Sequence, residues 1–394
     1  ERARSIAWTN RSAVECTPRL GAKNMINDAI LSRALDSAVA IQQIPAPTFA
    51  EKDRAEYIAR EFNALGLSDV EIDDLGNAFA RRPGGRARPI LLTAHTDTVF
   101  PLDTDLTLQR TADRIAGPGI GDNSLGVAGL FALVEALNDA RIETAGDIWL
   151  AANVGEEGLG DLRGMRRVVE RFGQTVSATI VIEGLAFGHL YHEAIGVHRL
   201  RITATAEGGH SWHDYGQPSA VHGLVRLAAR LTDLVLPTQP KTTLNIGQIA
   251  GGTSVNTIAR AASLELDLRS EDPAALAALV DQVGNLIDES NAPGLTIAST
   301  VTSRRPAGSI PREHPLVQLA ADSLRALGVE PEFEKGSTDA NIPLSLGLPA
   351  VCLGLCRGGN AHRPDEYIET AMLEKGLRQL MMVVVGAFEL RLTK

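Results

Sequence analysis

Cysteine is scarce: Cys16, Cys352 and Cys356 are the only three in 394 residues. So small and odd a number builds no disulfide framework, and a reducing cytoplasm is the expected compartment. Positive charge is in deficit, with 38 Lys and Arg against 48 Asp and Glu and a net charge of −10. That balance excludes a nucleic-acid or anionic-membrane surface as the main partner. No apolar run comes near the roughly 20 residues of a membrane span. Internal repeats and low-complexity tracts are absent. A phosphate loop is missing too: "GPGIG" at 117–121 lacks the G-x-G-x-x-G spacing and follows no clear strand. The remainder is ordinary globular composition, 44% hydrophobic and 22% charged. The chain is longer than one comfortable core, so two domains are expected.

Residues 1–24 carry Arg2, Arg4, Arg11, Arg19 and Lys23 without an apolar h-region, so no signal peptide is read there. Met25 opens a good amphipathic pattern and is the expected natural start, with 1–24 a leader outside the fold. From Met25 to about 195 strands and helices alternate. Thr48 and Glu51 form a T-x-x-E capping box for a helix running to about Leu65. Strand-like runs follow at 89–94, 147–154 and 178–182, with a helix at 126–140. Such alternation predicts a doubly wound, mostly parallel sheet with helices on both faces. Residues 196–305 read as β-α-β-β-α-β, a ferredoxin-like α+β domain inserted into the first. Residues 306–394 then resume the α/β domain with a helix from Pro315 and a buried strand at 349–355.

Candidate metal ligands stand in loops around the strand-like runs. In "LLTAHTDTVF" an extended chain points His95 and Asp97 the same way, and a metal-bound imidazole needs a partner on its other nitrogen. "GPGIGDNSLG" places Asp122 just before a helix, where a plain N-cap is the competing reading. "NVGEEGLG" carries Glu156 and Glu157, Glu183 follows "ATIVI", and His362 lies beyond the strand at 349–355. In doubly wound sheets ligands collect at the carboxyl ends of strands, so these distant residues can converge. Two His and three carboxylates suit two zinc-like ions bridged by one carboxylate. The other histidines (His189, His192, His198, His213, His222, His314) have no comparable setting and are read as surface or packing residues.

With those motifs in place, the sequence resembles the co-catalytic zinc exopeptidases and deacylases from Met25 onward. The resemblance implies a zinc-exopeptidase-like catalytic domain (25–195 and 306–394) and an inserted dimerisation domain (196–305). It implies His95 and Glu183 on one metal, Glu157 and His362 on the other, and Asp122 between them, with a cis bond after Asp122. Asp97 would orient His95 and Glu156 would be the general base. "EGGHSWHD" is similar to the family's G-H-S stretch, whose histidine, here His210, serves the partner subunit's active site. Asn256, Arg269, Gly336 and Ser337 match substrate-binding positions, although Lys335 stands where a glycine is common. The implied cofactors are two divalent ions, zinc foremost, with cobalt or manganese as alternatives. The implied protein is a homodimeric metallohydrolase of a small peptide or an N-acyl amino acid. The competing readings are a silent binding protein of the same fold, which would have lost a ligand or the base, and a ligase, which would need a phosphate loop.

Overall fold

The computed structural model describes residues 26–390. The readings made for the leader 1–24, for Met25 and for Cys16 lie outside the described residues. The main sheet runs in the order Ser68–Ile72, Ala78–Arg82, Gly146–Asn153, Ala87–His95, Ala178–Glu183, Ala350–Gly354, His189–Ala194 and Gly308–Ser309, with Glu332–Gly336 alongside His189–Ala194. Its four central strands, 146–153, 87–95, 178–183 and 350–354, are mutually parallel. The strands flanking that centre join it antiparallel. Burial on both faces explains why the central strands read as apolar runs rather than alternations: from Ile90 to His95 every residue is buried.

Helix Gly126–Asp139 lies against the sheet, packed by helices Asp28–Gln42 and Leu373–Ala387. Together with the turn before it, it corrects one expectation. The stretch Ile120–Asp139 is 20 residues long and apolar enough to cross a membrane by length and composition, but its backbone is non-helical at Asp122 and Asn123 and 89% of its apolar window is buried inside the protein. It is a core helix, covered on all sides by other elements.

The capping box is also corrected. Helix Lys52–Ala64 begins with Glu51 already helical and no side-chain cap. Thr48 Oγ1 instead donates to Asp97 Oδ2 at 2.8 Å, and Glu51 accepts from Arg163 at 2.7 Å. Both residues found long-range partners that a local motif cannot foresee.

The second unit has its own sheet, ordered Thr242–Gly251, Ala261–Ser270, Gly196–Ala206 and Leu295–Arg305, all antiparallel. Helices Ala220–Thr232 and Pro273–Glu289 pack on it through a separate core that includes Leu200, Ile202, Leu227, Leu266 and Val283. Strand 261–270 alternates buried and half-exposed positions, as a sheet with one covered face must. Only Ile195 separates the last central-sheet residue, Ala194, from this unit, and the chain returns at Arg305. The second unit meets the loops at the carboxyl ends of the parallel strands through Arg305, bonded to Glu156, and Arg199, bonded to Gly158 O.

Candidate metal centre

His95 is the last residue of its strand and Glu183 the last of its own; Glu156 and Glu157 follow Asn153 by three and four residues. All leave parallel strands at the same edge, which is where the sheet topology directs them. Asp122 arrives in the kink before helix Gly126–Asp139, where the Asp122–Asn123 peptide is cis. His362 reaches in from the loop after 357–359. Besides a group of His95, Glu156 and Glu157, the side chains form two groups with potential ligand atoms within 4.8 Å of one another: His95, Asp122 and Glu183, and Asp122, Glu157 and His362. Asp122 belongs to both. Its Oδ1 lies 3.0 Å from His95 Nε2 and its Oδ2 lies 3.1 Å from His362 Nε2. Glu183 is 3.6 Å from His95 Nε2, and Glu157 is 3.1 Å from His362 Nε2.

Three further residues tie the ligand-bearing loops together. Asp97 accepts from the backbone N–H of Glu156 at 2.9 Å and of Glu157 at 3.0 Å, while its own carbonyl lies 3.1 Å from His95 Nδ1. Asn123 donates to Ile182 O and accepts from Gly184 N, bracketing Glu183. Glu366 accepts from Gly121 N at 2.7 Å, Asp122 N at 2.8 Å and His362 N at 3.4 Å. Sequence reasoning missed Asn123 and Glu366. Their signal is weak, because a polar residue beside a ligand gains its meaning only from a partner about 60 or 245 positions away.

Arg305 was missed as well. It is buried, donates to Glu156 Oε1 at 2.9 Å and to Ser337 Oγ at 3.2 Å, and also meets the Glu156 carbonyl. Burial raises the Glu156 pKa and Arg305 opposes that rise. Among the sequence candidates, Arg269, Gly336 and Ser337 line the cavity of about 660 Å³ that opens onto the centre. His210 and Asn256 do not. They sit in an exposed part of the second unit, His210 on the short strand Gly209–His210 paired with Thr257–Ile258 and Asn256 in the turn before that partner, where Ser211 N donates to Asn256 O. Of the histidines read as packing residues, His192 is buried against Ile310 O at 2.8 Å, and His314 accepts from Leu316 N at the start of its helix. His189 lies near Glu332 and Glu334 on the neighbouring strand.

The electrostatics fit cations. Burial works against a charged His95, yet the surrounding carboxylates of Asp122, Asp97 and Glu183 carry its pKa well above the ordinary value. Asp122 and Glu157 raise His362 to about 10. Burial lifts Glu157 and Glu183 to about 7 each. Protons thus substitute for positive charge among crowded carboxylates, and every donor is the oxygen or imidazole nitrogen that zinc, cobalt and manganese accept. Because His362 must give up its proton to offer a lone pair, metal uptake should release protons, and affinity should climb as the pH rises toward about 10. Calorimetry in two buffers of different ionisation enthalpy measures this; a buffer-independent heat would contradict it.

Such a cluster at the strand ends of an α/β sheet defines a metal-dependent hydrolase. The chain belongs to peptidase family M20/M25/M40, whose profile matches residues 91–385. It is similar to an acetylornithine deacetylase of Klebsiella pneumoniae, 28% identical over 330 residues, 77% of this chain and 82% of that protein. In fold it is similar to a tripeptidase of Staphylococcus aureus, TM-score 0.79 at 21% identity, covering 93% of this chain and all of that one. The aminopeptidase PepT of Bacillus cereus gives a TM-score of 0.76 at 21% identity, covering 92% of this chain and 99% of that one. The expected family and α/β class are therefore correct, and the protein hydrolyses amide bonds of peptides or acyl amino acids.

Proposed function

We propose that this protein is a homodimeric exopeptidase or N-acyl amino acid deacylase of the cytoplasm that works with two zinc ions. The observation that supports it is the membership of Asp122 in both ligand groups. His95, Glu183 and Asp122 would hold one ion and His362, Glu157 and Asp122 the other. When bound, the ions would polarise the scissile carbonyl and lower the pKa of the attacking water.

The chain's own residues do the rest. Glu156, adjacent to a ligand and held by Arg305, takes the proton of the water and passes it to the leaving nitrogen as the C–N bond breaks. Arg269, whose Nε and Nη2 rest on Asp267, offers its remaining Nη1 to a substrate carboxylate. His210 supplies a hydrogen bond to the developing oxyanion of the other subunit's substrate. Its Nδ1 already accepts from the backbone N–H of Trp212 at 3.2 Å and of His213 at 3.4 Å. A neutral ring therefore carries its proton on Nε2, the outward donor. Removing such a donor costs roughly 10²–10³-fold in kcat.

Hydrolysis of a panel of dipeptides, tripeptides and N-acyl amino acids, with zinc, cobalt or manganese, tests the activity. Silence across the panel with metal bound would refute it and favour a binding protein. Mixing the inactive variants His210→Ala and Glu156→Gln tests the dimer. Mixed dimers hold one intact site, so activity should partly return; no recovery despite subunit exchange rules out His210 acting in trans.

A further inference from the structure

Lys335 stands where the resemblance leads one to expect glycine, and the chemistry above gives it no task. Its surroundings supply one. In the cavity facing the metal centre, the lining carboxylates are Asp122, Glu156, Glu157 and Glu183, all of them candidate ligands or the base. The lining cations are Arg199, Arg269, Arg305 and Lys335. Arg305 is committed to Glu156. Arg199 and Arg269 share the one carboxylate of Asp267, at 3.0 Å from Arg199 Nε and at 2.8 and 3.2 Å from Arg269 Nε and Nη2. Among the described residues, Arg199 Nη2 and Arg269 Nη1 have no protein acceptor.

Those two free amino groups, one on each guanidinium, already suffice for one substrate carboxylate, one to each oxygen. Lys335 is a further cation on a different element, strand Glu332–Gly336. Its Nζ rests 3.0 Å from Glu193 and 3.2 Å from Glu271, neither of which lines the metal cavity. Both of those carboxylates are partly exposed, so the pairs are weak and easily exchanged. An ammonium on a flexible stem, with three rotatable donors, can turn to a new acceptor at little cost. Lys335 and Arg269 also line a neighbouring cavity of about 480 Å³, with Lys241, Thr243, Phe333 and the carboxylates Glu271 and Glu334. The two cavities share these two side chains, so Lys335 borders both.

Resting on the amide-hydrolase reading, we propose that Lys335 determines specificity by selecting substrates with a second carboxylate. That carboxylate belongs either to an acyl group ending in an acid or to an acidic amino acid. A neutral group at that position would leave the ammonium with its weak exposed partners and gain nothing from it.

The test uses matched pairs differing in that one charge: N-acetyl-L-glutamate against N-acetyl-L-glutamine, and N-succinyl-L-alanine against N-butyryl-L-alanine, with the metal-loaded protein. In at least one pair kcat/KM should favour the diacid by about 10-fold or more, carried by KM. Lys335→Met should collapse that ratio to within about two-fold, and Lys335→Arg should keep it. Equal rates within both pairs, or a ratio that survives Lys335→Met, overturns the proposal. Calorimetric binding of glutarate against butyrate reads the same preference without turnover. If the whole amide panel is silent, the hydrolase reading fails, and the glutarate measurement still decides the role of Lys335.

Discussion

Glu156→Gln is expected to lower kcat by at least about 10²-fold with both metal ions retained, because it removes proton transfer and leaves the six implied ligand contacts in place. The substitution suits this site. Glutamine keeps an oxygen for Arg305 Nη1, now 2.9 Å from Oε1, and the backbone bond from residue 156 to Asp97 Oδ1 at 2.9 Å is untouched. Glu157 therefore stays where Asp97 holds it. The competing assignment is concrete, since His95, Glu156 and Glu157 also form a group within 4.8 Å. Were Glu156 a ligand, the variant would lose metal along with activity. Metal analysis of the purified variant beside its kcat separates the two: full metal with lost turnover identifies the base, lost metal identifies a ligand, and retained turnover refutes both.

The sequence carried this centre to the extent that each residue follows a short-range rule. His95 and Glu183 end apolar runs, and parallel strands buried on both faces are the easiest strands to recognise. The inserted unit was readable for a similar reason, since its order of elements completes a known small domain within about 110 residues. Asp122 needed the family pattern, because it sits in a kink whose backbone no periodicity describes. Thr48, Asn123, Arg305 and Glu366 were not readable, each being defined by a contact with a distant segment. Thr48 was misassigned for that reason: the T-x-x-E pattern is a local signal, and Asp97, 49 residues away, claimed the hydroxyl. Arg305 shows the same limit, for an arginine at the end of a strand carries no motif until the fold sets Glu156 beside it.

Asp122→Ala should have the broadest effect of any single substitution at the centre. Asp122 is the member common to both ligand groups, so its loss leaves His95 with Glu183 on one side and His362 with Glu157 on the other. Two donors apiece no longer make the three-ligand sites that hold catalytic ions. Metal content should fall at both positions, and activity by more than the 10–100-fold typical of losing a residue that merely supports a ligand. Glu366→Gln supplies that lesser reference, because Glu366 holds Asp122 and His362 through backbone N–H groups at 2.8 and 3.4 Å without joining either group. Effects on folding cancel if the readout is the shift in Tm between metal-loaded and chelated protein. A ligand present at about 100 times its Kd stabilises the folded state by about 2.7 kcal/mol, and a protein that no longer binds it shows no shift. Wild type should show a clear shift, Glu366→Gln a reduced one, and Asp122→Ala none. A normal shift in Asp122→Ala would mean that the two groups hold their ions independently, and the bridging role would be lost.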